Sequence, residues 1–146
     1  RGAEALKAEM ENPPFGAKDL LYVGLQGLLD YQLRFLEDAG VDFMLQNEAF
    51  VGSEKIADFV RRYDRILVHL DIDVLDPKCF HSTYFANPAL TGDGSGGGRM
   101  TMDELARILG VIAANGTVSG FTIAEYLPFD EERLHKLFAG LQILTD

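Results

Sequence analysis

Asp71 and Asp73 lie within the stretch "RILVHLDIDVLDPK", residues 65–78, and their spacing is the first feature of the chain that could do chemistry. Side chains alternate along a strand, so His69, Asp71 and Asp73 share one side while Val68, Leu70 and Ile72 share the other. Two carboxylates so placed stand roughly 6–7 Å apart, at the C-terminal strand end where open α/β sheets bind ligands. Carboxylates gathered at one point repel each other unless protons or a cation intervene, and a hard divalent ion is the economical answer. On the motif alone, the alternative is a pair of aspartates that caps a helix or faces water. Asp76-Pro77 then stops the strand and turns the chain.

The positioning elements follow from periodicity. Ile66, Leu67, Val68, Leu70, Ile72 and Val74 form a near-continuous apolar run, the pattern of a central strand covered on both faces. "DLLYVGL", residues 19–25, and "VDFML", residues 41–45, read as earlier strands. Between them "DYQLRFLEDA" has Leu33 and Leu36 at helical spacing and Gly40 as its stop. Ser53 is a candidate cap for a helix buried along Ile56, Phe59 and Val60. After the irregular residues 77–100, Thr101 to Glu104 spell a capping box before a helix with Leu105, Ile108, Leu109 and Ile112 on one face. "TVSGFTIAEY", residues 117–126, is a fourth strand. Asp130 opens a last helix with Leu134, Leu137, Phe138 and Leu141 at i, i+3, i+4 and i+7. Residues 1–18, broken by Asn12-Pro13-Pro14, are a lead-in. The alternation βαβαβαβα predicts one α/β domain over residues 1–146, a parallel sheet with right-handed crossovers and helices on both faces. Four strands make a small sheet, whose edges need covering by another chain or by further sequence.

Bulk composition narrows the partners. The chain has 146 residues, 47% hydrophobic and 25% charged, with 13 basic against 23 acidic residues and a net charge of −10. Such a balance argues against nucleic acid and anionic membrane and is compatible with cations or cationic substrates. No apolar stretch approaches the ~20 residues that span a bilayer. The single cysteine, Cys79, makes no internal disulfide and fits a reducing, cytoplasmic setting. The chain opens on Arg1 without an initiator Met, and reads as a processed or cut piece of something longer.

"VHLDIDVLDP", residues 68–77, resembles the second metal-binding motif of the ureohydrolases, the arginase, agmatinase and formimidoylglutamase group. The flanks are similar too: "KDLLYVGLQGLLDYQLRFLEDAGVDFM" at 18–44, "GGGRMTMDE" at 96–104 and "VSGFTIAEYLP" at 118–128 resemble family segments in the family's order. The resemblance implies an arginase-like three-layer α/β/α fold in a homo-oligomer. It implies that Asp71 and Asp73 are ligands of a paired Mn²⁺ site, and that Glu125 holds the guanidinium or amidinium of a small substrate. Oxygen ligands suit Mn²⁺, and two such ions activate a shared water for attack on the guanidinium carbon. A glutamate suits a planar cation through paired hydrogen bonds.

The sequence departs from the family pattern in three places. The family's Gly-Gly-Asp-His and Asp-Ala-His-x-Asp stretches, which supply the other metal ligands, do not occur, so the chain resembles only the C-terminal part of a ureohydrolase and is expected to be inactive without an N-terminal half or another chain. No catalytic residue is assigned within it. "KCFHSTYFANPALTGDGSG" replaces a compact Gly-Thr-x-x-Pro loop and leaves the substrate open among arginine, agmatine, formiminoglutamate and other compounds. Thr122 stands where many members carry an acidic residue.

Among the remaining candidates, His69 is expected to be a hydrogen-bonded core histidine, His81 a solvated loop residue and His135 a surface residue. Cys79 has no evident base. "GDGSGG", residues 92–97, follows a proline-containing loop instead of a strand and reads as a mobile lid or connector. Two alternatives remain open. A haloacid-dehalogenase-like, Mg²⁺-dependent phosphatase also uses an Asp-x-Asp strand end, but on its first strand. A noncatalytic domain acting in assembly would show concentration-dependent self-association.

Overall fold

The computed structural model describes residues 15–46, 52–91, 96–129 and 131–141. Strand β1 (Leu21–Leu25) pairs in parallel with β2 (Asp42–Leu45), and β3 (Ile66–Asp71) pairs in parallel with β4 (Val118–Ala124). Helices α1 (Asp30–Ala39), α2 (Ser53–Val60), α3 (Met102–Asn115) and α4 (Glu131–Ala139) alternate with the strands as the periodicity predicts. The lead-in through Pro14, the first residues of the glycine tract and the start of the last helix at Asp130 lie outside the described residues.

Local chemistry sets the ends of the helices. At the close of α1, Gly40 adopts φ 68°, which only glycine enters without strain, and the Gly40 and Val41 amides bond the Glu37 and Leu36 carbonyls. The capping box of α3 forms as spelled: the Glu104 amide donates to Thr101 Oγ1 at 3.2 Å, and the Thr101 amide to Glu104 Oε2 at 2.7 Å. The cap expected of Ser53 does not form. Gly52 occupies the cap position with no side-chain bond, and Ser53 Oγ instead accepts from Arg107 Nη1 at 2.6 Å, tying α2 to α3. The buried stripe of α2 is Ile56, Ala57 and Val60. Phe59 lies at its margin, half-buried beneath the Arg62 guanidinium at 4.6 Å.

The four strands do not join into one sheet; among the described residues they form two parallel pairs. Strand β3 is therefore not the doubly covered central strand that its apolar run implies. Ile66 and Leu70 are buried on one face, while on the other Leu67 is 68% exposed. An apolar run records what a strand is built to touch, and in this chain half of that contact is not made. One core nonetheless ties both pairs together, joining Met44, Ile56, Val60, Ile66, Leu70, Ile72, Leu75, Phe80, Met100, Leu105, Ile108, Leu109 and Leu134. Among the described residues no helix is long and apolar enough to cross a membrane.

Candidate functional site

Strand β3 ends at Asp71, two residues earlier than simple alternation implies, and Ile72–Val74 is a 3₁₀ turn. The Asp71 carboxylate causes the change. Its Oδ1 accepts the Asp73 amide at 2.9 Å, the two-residue reach by which aspartate closes turns. Asp73 is thus presented from a turn, not from the same face of an extended strand. Ile72 and Leu75, both 0% exposed, anchor this turn in the core on either side of Asp73. Leu75 also makes a parallel bridge to Met100.

The loop expected only to vary carries the most tightly held polar residues of the site. Ser82 and Thr83 are 0% and 1% exposed. Thr83 Oγ1 donates a short hydrogen bond to Asp73 Oδ1. The Thr83 backbone makes an antiparallel bridge to Tyr126, the residue after Glu125. The Leu127 amide donates to the Ser82 carbonyl at 2.8 Å, and the Phe129 amide to Ser82 Oγ at 3.1 Å. One short segment therefore holds Asp73 by a side chain and the end of β4 by its backbone. Sequence reasoning missed it; the available signal was a Ser-Thr pair two residues after the apolar Phe80.

Glu125 follows β4 in the left-handed region, φ 57°, the sole non-glycine residue described there. A non-glycine residue is held in that region only where its surroundings dictate it. Burial pushes the Asp73 carboxyl above the ordinary carboxylate range; the Thr83 hydroxyl acts against this, and the like charges of Asp71 and Glu125 add to it. The turn after β3 and the end of β4 thus bring all three acidic candidates into one electrostatic neighbourhood. Asp71 and Glu125 are exposed and Asp73 is half-buried.

The donor chemistry fits a hard divalent cation in part. Asp71 and Asp73 each have Oδ1 engaged by a protein donor, and neither Oδ2 carries a hydrogen bond among the described residues. Two oxygens can face an ion. Among the described residues, however, no group of three or more His, Cys, Asp or Glu is placed to hold one. The remaining ligands of any such site must come from elsewhere.

Other candidates fall away from the cluster. His69 is hydrogen-bonded, with Nδ1 2.7 Å from Thr122 Oγ1 across the β3–β4 register, but it is exposed and not a core residue, because it lies on the uncovered face of the sheet. His81 and His135 are exposed, as expected. Cys79 is free and exposed. Of the glycine tract, the described end packs on the aspartate turn: a Cβ on neighbouring Gly98 would lie 1.9 Å from the Val74 carbonyl oxygen.

A family model described as the arginase family matches residues 4–146. Among solved structures, arginase from Helicobacter pylori is 19% identical with a TM-score of 0.62, over 84% of this chain and 43% of that one. Arginase from Bacillus subtilis is 16% identical with a TM-score of 0.64, over 90% and 45%. The proclavaminate amidino hydrolase from Streptomyces clavuligerus is 25% identical with a TM-score of 0.53, over 82% and 38%. The chain spans less than half the length of these relatives. No curated protein matches it by sequence.

Proposed function

The chain belongs to the arginase family, and from that premise we propose that it is the C-terminal part of a ureohydrolase acting on a C–N bond of a guanidino or amidino compound. In this reading Asp71 and Asp73 are ligands of a paired Mn²⁺ site, Glu125 receives the planar cation of the substrate, and an N-terminal half or another chain supplies the other metal ligands. The observation that carries it is the convergence of Asp71, Asp73 and Glu125 at the ends of two paired strands, where burial raises the Asp73 carboxyl and the like charges of Asp71 and Glu125 add to the rise. Three carboxylates gathered this way favour a cationic occupant. The phosphatase alternative is set aside, since its aspartates belong on a first strand and these end the third.

Each residue has a definable part. When bound, the paired ions supply a water activated for attack at neutral pH. Asp71 and Asp73 offer one free oxygen each toward such ions, and Thr83 fixes the direction of Asp73. Glu125, set outside strand geometry, offers a carboxylate to paired N–H groups. The partner half and a homo-oligomeric state belong to the same reading. Without that half, turnover of guanidino substrates is expected to be absent.

The test is the thermal midpoint of the chain in Mn²⁺ against Mg²⁺, with Asp71→Asn and Asp73→Asn alongside. A ligand at tenfold excess over its Kd stabilises the folded form by about 1.4 kcal/mol. The expected result is a Mn²⁺-selective rise that both variants lose. An identical response in wild type and variants would remove the ion from the aspartate pair.

A further inference from the structure

Two glutamines reach the aspartate turn from strands that do not pair with it. Gln26 directly follows β1, and Gln46 directly follows β2. Gln26 Nε2 donates to the Asp73 carbonyl at 2.8 Å, and Gln46 Nε2 to the Val74 carbonyl at 2.8 Å. Each carbonyl also receives a backbone amide: Gly98 on Asp73 at 2.7 Å, Met100 on Val74 at 3.1 Å. Two consecutive carbonyls therefore each accept two donors, one from the chain beyond the turn and one from the other strand pair.

Chemistry fixes the direction of both amides. The Gln26 nitrogen faces the carbonyl oxygens of Asp73 and Gly96, the latter at 3.5 Å, so a reversed amide would set oxygen against oxygen. Gln26 Oε1 is buried with no partner among the described residues. An unpaired buried acceptor is costly, so what retains the side chain there is its donor. Gln46 uses both ends of its side chain: Nε2 donates to the Val74 carbonyl and Oε1 accepts the Arg99 amide at 2.6 Å, while its backbone N–H donates to the Leu25 carbonyl at 2.9 Å.

We propose that Gln26 and Gln46 are positioning residues, a pair of side-chain clamps that hold the Asp71–Asp73 turn in the shape that presents its carboxylates. This rests on the reading of Asp73 as a metal ligand. β1–β2 and β3–β4 share no ladder, so the amides do at the site what strand pairing does elsewhere. The polar partners that orient metal ligands typically contribute 10–100-fold to metal affinity.

The experiment uses Gln26→Met, Gln46→Met and the double variant, since methionine keeps the unbranched length and removes the donor. Native-state hydrogen exchange is read at the Asp73, Gly98 and Met100 amides, with Leu109 in α3 as control, and Mn²⁺ affinity is read by water-proton relaxation. The double variant is expected to exchange at least about tenfold faster at the Asp73 amide with Leu109 unchanged, and to bind Mn²⁺ about tenfold more weakly. Unchanged exchange at Asp73, or an equal rise at Leu109, overturns the clamp. If the wild-type chain binds no Mn²⁺, two carboxylates do not hold the ion without the ligands that the other half supplies, and the exchange data alone decide the clamp.

Discussion

At the residue scale, the site is a set of side chains kept where they are costly. Glu125 holds a left-handed backbone, which costs a non-glycine residue roughly 1–2 kcal/mol. Glu125→Gly is therefore expected to stabilise the chain by about 1 kcal/mol in urea unfolding while removing the carboxylate offered to substrate; a loss of stability would mean that the side chain supports the fold. Asp73 gives a pH dependence of definite sign. Its folded carboxyl is raised by burial and by Asp71 and Glu125, so its contribution to stability is full below the unfolded value and is lost as pH rises through the higher folded value. In chelator, Asp73→Asn should match wild type in melting temperature at acid pH and exceed it increasingly toward neutrality. A difference that grew toward acid would contradict the electrostatic account. Asp71 and Asp73 were legible from their spacing; Thr83, Gln26 and Gln46 were not, because each acts on the backbone or side chain of a residue far away in sequence.

At the element scale, the ends matter more than the middles. The capping box was legible because Thr101 and Glu104 satisfy each other's amides within three residues, and Thr101→Ala should cost about 1 kcal/mol, measured as a lower urea midpoint with an unchanged m-value. The Ser53 cap was misread because a serine beside a helix start is equally able to bond a neighbouring helix, and Arg107 arrives from α3. Strand β3 illustrates the same limit. Its apolar run marks a strand but not its last residue, which is decided by the bond from the Asp73 amide to Asp71. That single bond turns two carboxylates on a strand face into one at a strand end and one on a turn.

At the scale of the whole molecule, the chain carries the faces of a larger fold. Leu67 on β3 and Tyr31 and Phe35 on α1 are 68%, 67% and 69% exposed, and β1 and β3 each pair on one side among the described residues. Apolar faces beside unpaired strand edges associate. Sedimentation velocity should therefore show a weight-average mass that rises with concentration, and Phe35→Lys should reduce that rise; a strict monomer at all concentrations would count against these faces as contact surfaces. The sequence by itself determined the order of parallel strands and helices, the acidic character of the strand end and the family to which these belong. Periodicity, caps and short motifs are local, and local patterns survive in a chain read one window at a time. Only the tertiary structure decided that the strands form two pairs, that Thr83 joins Asp73 to the end of β4, and that glutamines from one pair hold the turn of the other. Those facts depend on which distant residues meet when the core closes, and no spacing along the chain encodes that meeting.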